Sequence, residues 1–205
     1  QMSEQKTIHL ADYQPFSHTV DSVDLTFRLA PGATRVRACL ALRPNLDRPG
    51  RNDLRLDGEG LTHLSCLVDG KPVAPRMDER SLTIAAADLP DGPFILETEV
   101  EIAPDANTAL EGLYMSKGMY CTQCEAEGFR KITWYPDRPD VMSRFKVRVE
   151  ADLPVLLSNG NPTASGKGWD EWDDPWPKPA YLFALVAGDL RAHSATFTTA
   201  SGRKV

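Results

Sequence analysis

Residues 23–42 read VDLTFRLAPGATRVRACLAL. Val23, Leu25, Phe27 and Leu29 alternate with Asp24, Thr26 and Arg28, the two-residue period of a strand with one face in a core and the other in water. Pro31-Gly32 supplies a turn, after which Val36, Ala38, Leu40 and Leu42 alternate with Arg35, Arg37, Cys39 and Ala41. Two such runs around one turn predict a β-hairpin. The period recurs outward from there. Leu54 and Leu56 precede Asp57-Gly58, Leu64, Cys66 and Val68 precede Asp69-Gly70, and Leu82 with Ile84 follow a polar break. Phe94, Leu96, Thr98, Val100 and Ile102 share one face, with Glu97, Glu99 and Glu101 expected in solvent on the other. Beyond a corner at residues 136–139, Phe145, Val147 and Val149 resume the alternation, followed by apolar runs at residues 155–157 and 182–186. No window sustains a helical apolar period over the ~10–12 residues of an average helix. The prediction is an all-β fold: an antiparallel β-sandwich or saddle-like multi-sheet domain with little helix.

A chain of 205 residues, 41% hydrophobic and 25% charged, can bury a core, and it is read as a single domain over residues 1–205 with residues 1–12 as a flexible tail. Its net charge of −6 offers no basic field for a nucleic-acid backbone or an anionic membrane, so neither is an expected partner. The longest apolar run, residues 181–187, is far short of the ~20 needed to span a bilayer. Residues 1–20 show no apolar stretch after a basic start, and four cysteines are too few for a disulfide framework. A cytoplasmic location is the expectation.

Residues 107–140 read NTALEGLYMSKGMYCTQCEAEGFRKITWYPDRPD and break the alternation while being dense in reactive side chains. Cys121 and Cys124 could offer two thiolates, but no second Cys pair or close His pair completes a tetrahedral zinc site, and His9, His18, His63 and His193 are scattered. A redox role would need the pair at a helix start in a βαβ unit. No HExxH, Gly-x-Ser-x-Gly or phosphate-binding GxxxxGK[ST] pattern occurs, and Ala164-Ser165-Gly166 sits in an expected polar turn. Glu125 and Glu127, two apart on an expected strand, read from the residues alone as solvated carboxylates. Trp169, Trp172 and Trp176, interleaved with acidic residues, keep a second possibility open: a stand-alone β-sandwich module that binds carbohydrate or protein through a loop at residues 169–176.

The same 107–140 segment resembles the signature region of the amino-terminal domain of the aminopeptidase N family of zinc metallopeptidases, in its bacterial alanyl aminopeptidase branch. Gln123-Cys124-Glu125-Ala126 matches the family's Gln-x-Glu-Ala element and Asp137-Arg138-Pro139 its Asp-x-Pro corner. Leu157-Ser158-Asn159-Gly160 and the run from Pro177 to Asp189 agree as well. The resemblance implies the all-β first domain of an enzyme that removes single residues from peptide amino termini. It implies that Glu125 binds the substrate's α-ammonium and that Gln123 lines the first side-chain subsite. It also implies a catalytic domain beyond Val205, bringing HExxH, the zinc and the exopeptidase motif. The present chain would then hold no zinc and no catalytic residue of its own, and its partners would be the peptide amino terminus and that missing domain.

Overall fold

The computed structural model describes residues 10–189. β1 (His18–Arg28) and β2 (Thr34–Pro44) form the predicted hairpin, and β3 (Leu54–Asp57), β4 (Thr62–Val68) and β5 (Lys71–Pro72) follow. Next come β6 (Arg76–Met77), β7 (Ser81–Ile84) and β8 (Phe94–Ile102). The remaining strands are β9 (Gly112–Ser116), β10 (Met119–Gln123), β11 (Ser143–Glu150), β12 (Val155–Ser158), β13 (Asn161–Gly166), β14 (Trp169–Lys178) and β15 (Leu185–Gly188). Among the described residues, helix is confined to three-residue 3-10 turns such as Phe129–Lys131 and Ala180–Leu182. No helix of the described residues is long and apolar enough to cross a membrane. Of the expected tail, residues 1–9 lie outside the described residues, and Leu10–Asp12 form one 3-10 turn.

Among the described residues the strands form three sheets. The largest has eight strands in the order β13-β14-β11-β1-β2-β8-β4-β5; the others are β12-β15-β10-β9 and β3-β7-β6. Apolar alternation places Val23, Leu25 and Phe27 of β1 beside Val36, Ala38 and Leu40 of β2 and Phe145, Val147 and Val149 of β11, all buried. Leu54, Leu56, Leu82 and Ile84 of the three-stranded sheet, with Leu113, Tyr120, Leu185 and Ala187 of the four-stranded one, join them in a single core. At about 1.5–3 kcal/mol for each large apolar side chain removed from water, this shared core is the main favourable term. Its centre is aromatic: Phe129 meets Tyr135, Phe145 and Phe183 at ring separations of 5.1, 5.9 and 5.4 Å. Phe27 of β1 stacks on Phe183.

The expected all-β, multi-sheet class holds, with one refinement of strand direction and two corrections of local readings. β1 and β11 run parallel, from Ser22 with Arg144 to Arg28 with Glu150, so the large sheet is mixed rather than wholly antiparallel. A two-residue period tells which face is buried and carries no strand direction. Residues 169–176 are not a loop but belong to β14, paired with both β11 and β13. There Trp172 is buried, and Trp169 is half-buried under the Arg148 guanidinium, 4.1 Å from the ring centroid. Only Trp176 projects well into solvent, at 77% exposure, so the indoles build no common stacking platform. Likewise Ala164-Ser165-Gly166 is part of the exposed edge strand β13, not a turn. The glutamates of β8 do face outward, where Glu101 and Glu97 pair with Arg35 and Arg37 of β2 at 2.8 and 2.9 Å.

Candidate functional site

β9 and β10 form a hairpin whose two-residue connection, Lys117-Gly118, has φ of +51° and +77° at its centre. Positive φ at both positions is the turn geometry that matches strand twist. The hairpin ends with Gln123 opposite Gly112. Cys124 is buried next, and the chain turns through Glu125, Ala126, Glu127 and Gly128 before Phe129 enters the aromatic core. Glu125, Ala126 and Glu127 are exposed, while the buried residues on either side anchor the turn. Glu125 and Glu127 therefore lie on a turn rather than on the expected strand. The Glu125–Ala126 peptide is cis.

Glycine is required where this turn folds back on the hairpin. A Cβ at Gly128 would lie 2.2 Å from the Gln123 carbonyl oxygen, and one at Gly112, where φ is +74°, would lie 2.9 Å from Lys131 Cβ. Main chain thus packs on main chain, and the Gly128 amide donates to the Cys124 carbonyl at 2.9 Å.

Glu59, Glu111, Glu125, Ala126, Glu127 and Lys131 line a cavity of about 300 Å³. Lys131 Nζ lies 2.7 Å from Glu111 and 3.8 Å from Glu59, and Arg130 lies 3.6 Å from Glu127. Glu125 is the one carboxylate of the four with no hydrogen-bond or ion-pair partner among the described residues. Gln123, exposed at the strand end, is likewise unpartnered among them. The two residues singled out in the sequence are thus brought to one end of one hairpin, with polar ends free. Larger hollows, such as one of about 620 Å³ among Arg48, Arg55, Arg76 and Arg138, lie apart from this turn.

Beneath the turn, burial pushes the Cys124 thiol up to about 12 and raises that of Cys121. Both are free thiols, and in that state neither is a thiolate nucleophile near neutral pH. Among the described residues no three His, Cys, Asp or Glu side chains converge into a set able to hold a metal ion. Sequence reasoning missed Lys131, Glu59 and Glu111, which reach the cavity from three separate stretches and belong to no short motif. It also missed the Arg130–Asp137 pair beneath them, of which only Asp137 was marked, as part of the corner. What the arrangement can do is hold a cation: a free carboxylate in a partly acidic hollow forms a charge-assisted hydrogen bond to an ammonium.

The chain is similar to known proteins along most of its length. Aminopeptidase N of Caulobacter vibrioides is 53% identical over 98% of this chain, and that of Escherichia coli 47% identical over 95%. The chain spans about a quarter of the length of these relatives: 24% and 23%. A crystal structure of Legionella pneumophila aminopeptidase A in complex with aspartic acid superposes with a TM-score of 0.79 at 34% identity, covering 96% of this chain and 24% of that one. A Deinococcus radiodurans M1 zinc metallopeptidase shares the fold at a TM-score of 0.71 and 18% identity, over 84% of this chain and 42% of its own. The Peptidase M1 N-terminal domain family matches residues 67–182, a span that holds the hairpin, the Glu125 turn and the whole of β14. With that match covering more than half of the chain, the chain belongs to the Peptidase M1 N-terminal domain family.

Proposed function

We propose that this chain is the first domain of a zinc-dependent aminopeptidase that releases amino-terminal residues from peptides. In this reading Glu125 anchors the substrate's α-ammonium and Gln123 lines the first side-chain subsite. The observation that carries it is the Glu125 carboxylate: exposed, unpartnered among the described residues, and set on a turn whose two ends are buried. An exopeptidase must distinguish a terminal cation from an internal amide. A carboxylate fixed at one distance from the cleavage point does so and places the scissile carbonyl one residue away.

In the same reading the zinc ligands, the water the metal activates and the rest of the subsite lie in the part of the full-length protein that corresponds to the remaining three quarters of its aminopeptidase N relatives. Leu157, Trp176, Tyr181 and Leu182 are large apolar side chains left exposed on β12, on β14 and in the turn before β15. The four free cysteines suit a reducing compartment, and we place the enzyme in the cytoplasm.

The test is substitution of the anchor in the full-length enzyme. Glu125→Ala lowers kcat/KM for an aminoacyl-arylamide by at least about tenfold, the scale of a charge-assisted hydrogen bond. An unchanged value removes Glu125 from the site. The 205-residue chain alone, supplied with zinc, gives no turnover; chelator-sensitive hydrolysis that survives repurification overturns the division of labour.

A further inference from the structure

We propose that Arg130 and Asp137 are a positioning pair that holds the turn at residues 125–128 so that the Glu125 carboxylate faces the cavity. The proposal rests on the reading of Glu125 given above.

The turn cannot set its own orientation. Its single internal main-chain bond runs from Gly128 to Cys124, and Glu125, Ala126 and Glu127 are exposed. Direction must come from the ends. The leading end is held by β10 and buried Cys124. At the trailing end, Arg130 donates to Asp137 Oδ2 twice, from its main-chain amide at 3.2 Å and from Nε at 3.1 Å. Arg130 Nη2 also donates to the Asp137 carbonyl oxygen at 3.2 Å. Asp137 is fixed in turn, because its amide donates to Asp57 Oδ2 at 3.1 Å and Asp57 forms a β-bridge with Tyr135. The Arg130 carbonyl accepts from the Glu59 amide at 3.0 Å, which ties the far wall of the cavity to the same residue. Arg130 Nη1 points back at Glu127, 3.6 Å away.

Stability alone does not call for such a pair. The Asp137 side chain is only 3% exposed and that of Arg130 20%. Burial pushes the Asp137 carboxyl above its usual range even with a guanidinium beside it. Apolar side chains of similar volume often serve a buried position as well or better. What a planar guanidinium adds is direction: a rigid fork whose Nε and Nη2 make two bonds to Asp137 at once and, with the Arg130 main-chain amide as a third, fix the main chain leading into the turn.

The experiment is a double-mutant cycle in the full-length enzyme with an alanyl-arylamide substrate. Arg130→Gln raises KM about fivefold and changes kcat by less than about twofold, because the anchor is misplaced rather than removed. In a Glu125→Ala background the same substitution changes KM by less than about twofold, since there is no anchor left to misplace. An equal effect in both backgrounds, or an unchanged KM for Arg130→Gln alone, overturns the proposal. If Glu125→Ala itself leaves kcat/KM unchanged, the earlier reading falls first and takes this one with it. Should Arg130→Gln fail to give a cooperative melting transition, Arg130→Lys, which keeps the charge without the fork, goes through the same cycle with the same expected outcome.

Discussion

Glu125 and Glu127 stand two residues apart on one turn, and their neighbours separate them. Arg130 lies within ion-pair distance of Glu127, while Glu125 has no described partner. The motif in the sequence singled out Gln123 and Glu125, and the structure brings them to one strand end. Which of several carboxylates stays unpaired was not legible, because Lys131 and Arg130 reach them through a fold-back that depends on Gly112 and Gly128. His18 carries a residue-scale prediction. It is buried beside the Phe94 ring, Ser17 Oγ lies 2.7 Å from its Nδ1, and burial together with nearby Arg48 lowers its pKa from 6.5. The unfolded chain therefore takes up this proton first as pH falls. Stability is lost from about pH 6.5 down to the lowered folded value and levels off below it. His63, also lowered by burial, adds the same sign. In urea titrations between about pH 7.5 and 5.5, His18→Gln is expected to flatten the fall of the midpoint. An unaltered slope would show that His18 protonates equally in both states.

At the scale of elements, alternation located β1, β2, β8 and β11 because each has one face wholly in the core. The β9–β10 hairpin escaped, since its strands bury only Gly112, Leu113 and Tyr120 and leave the rest half-buried or exposed, which erases the period. Its Lys117-Gly118 turn adopts the same positive-φ pair as the recognised Asp69-Gly70 turn. Leu64 was grouped with Cys66 and Val68, yet it is 41% exposed, because the register slips between His63 and Ser65. One residue of slip moves a side chain to the opposite face. The hairpin turn gives a clean prediction, for a Cβ at Gly118 would meet nothing within 4 Å. Gly118→Ala then costs about 1 kcal/mol through backbone conformation alone. A denaturation midpoint equal to that of the parent chain would refute this.

Across the whole molecule, the family and the all-β class were legible, and the sheet order was not. Local hairpins leave their mark as a turn between two periodic runs, whereas pairings between distant segments leave none. β1 and β11 illustrate the point, joined from Ser22 with Arg144 to Arg28 with Glu150. This pairing also has a consequence for how the protein is made. On a ribosome the β1–β2 hairpin emerges early, but one long edge of β1 has no neighbour until more than a hundred further residues have left the exit tunnel. Until then the nascent chain carries an open strand flank of the kind that recruits other chains. Fragments that stop near residue 140 are therefore expected to pellet on expression, and extension through β11 and β14 to restore solubility. Soluble, cooperatively folded short fragments would show that this flank is protected some other way. Synthesis must carry the chain through β11 before β1 is paired on both sides.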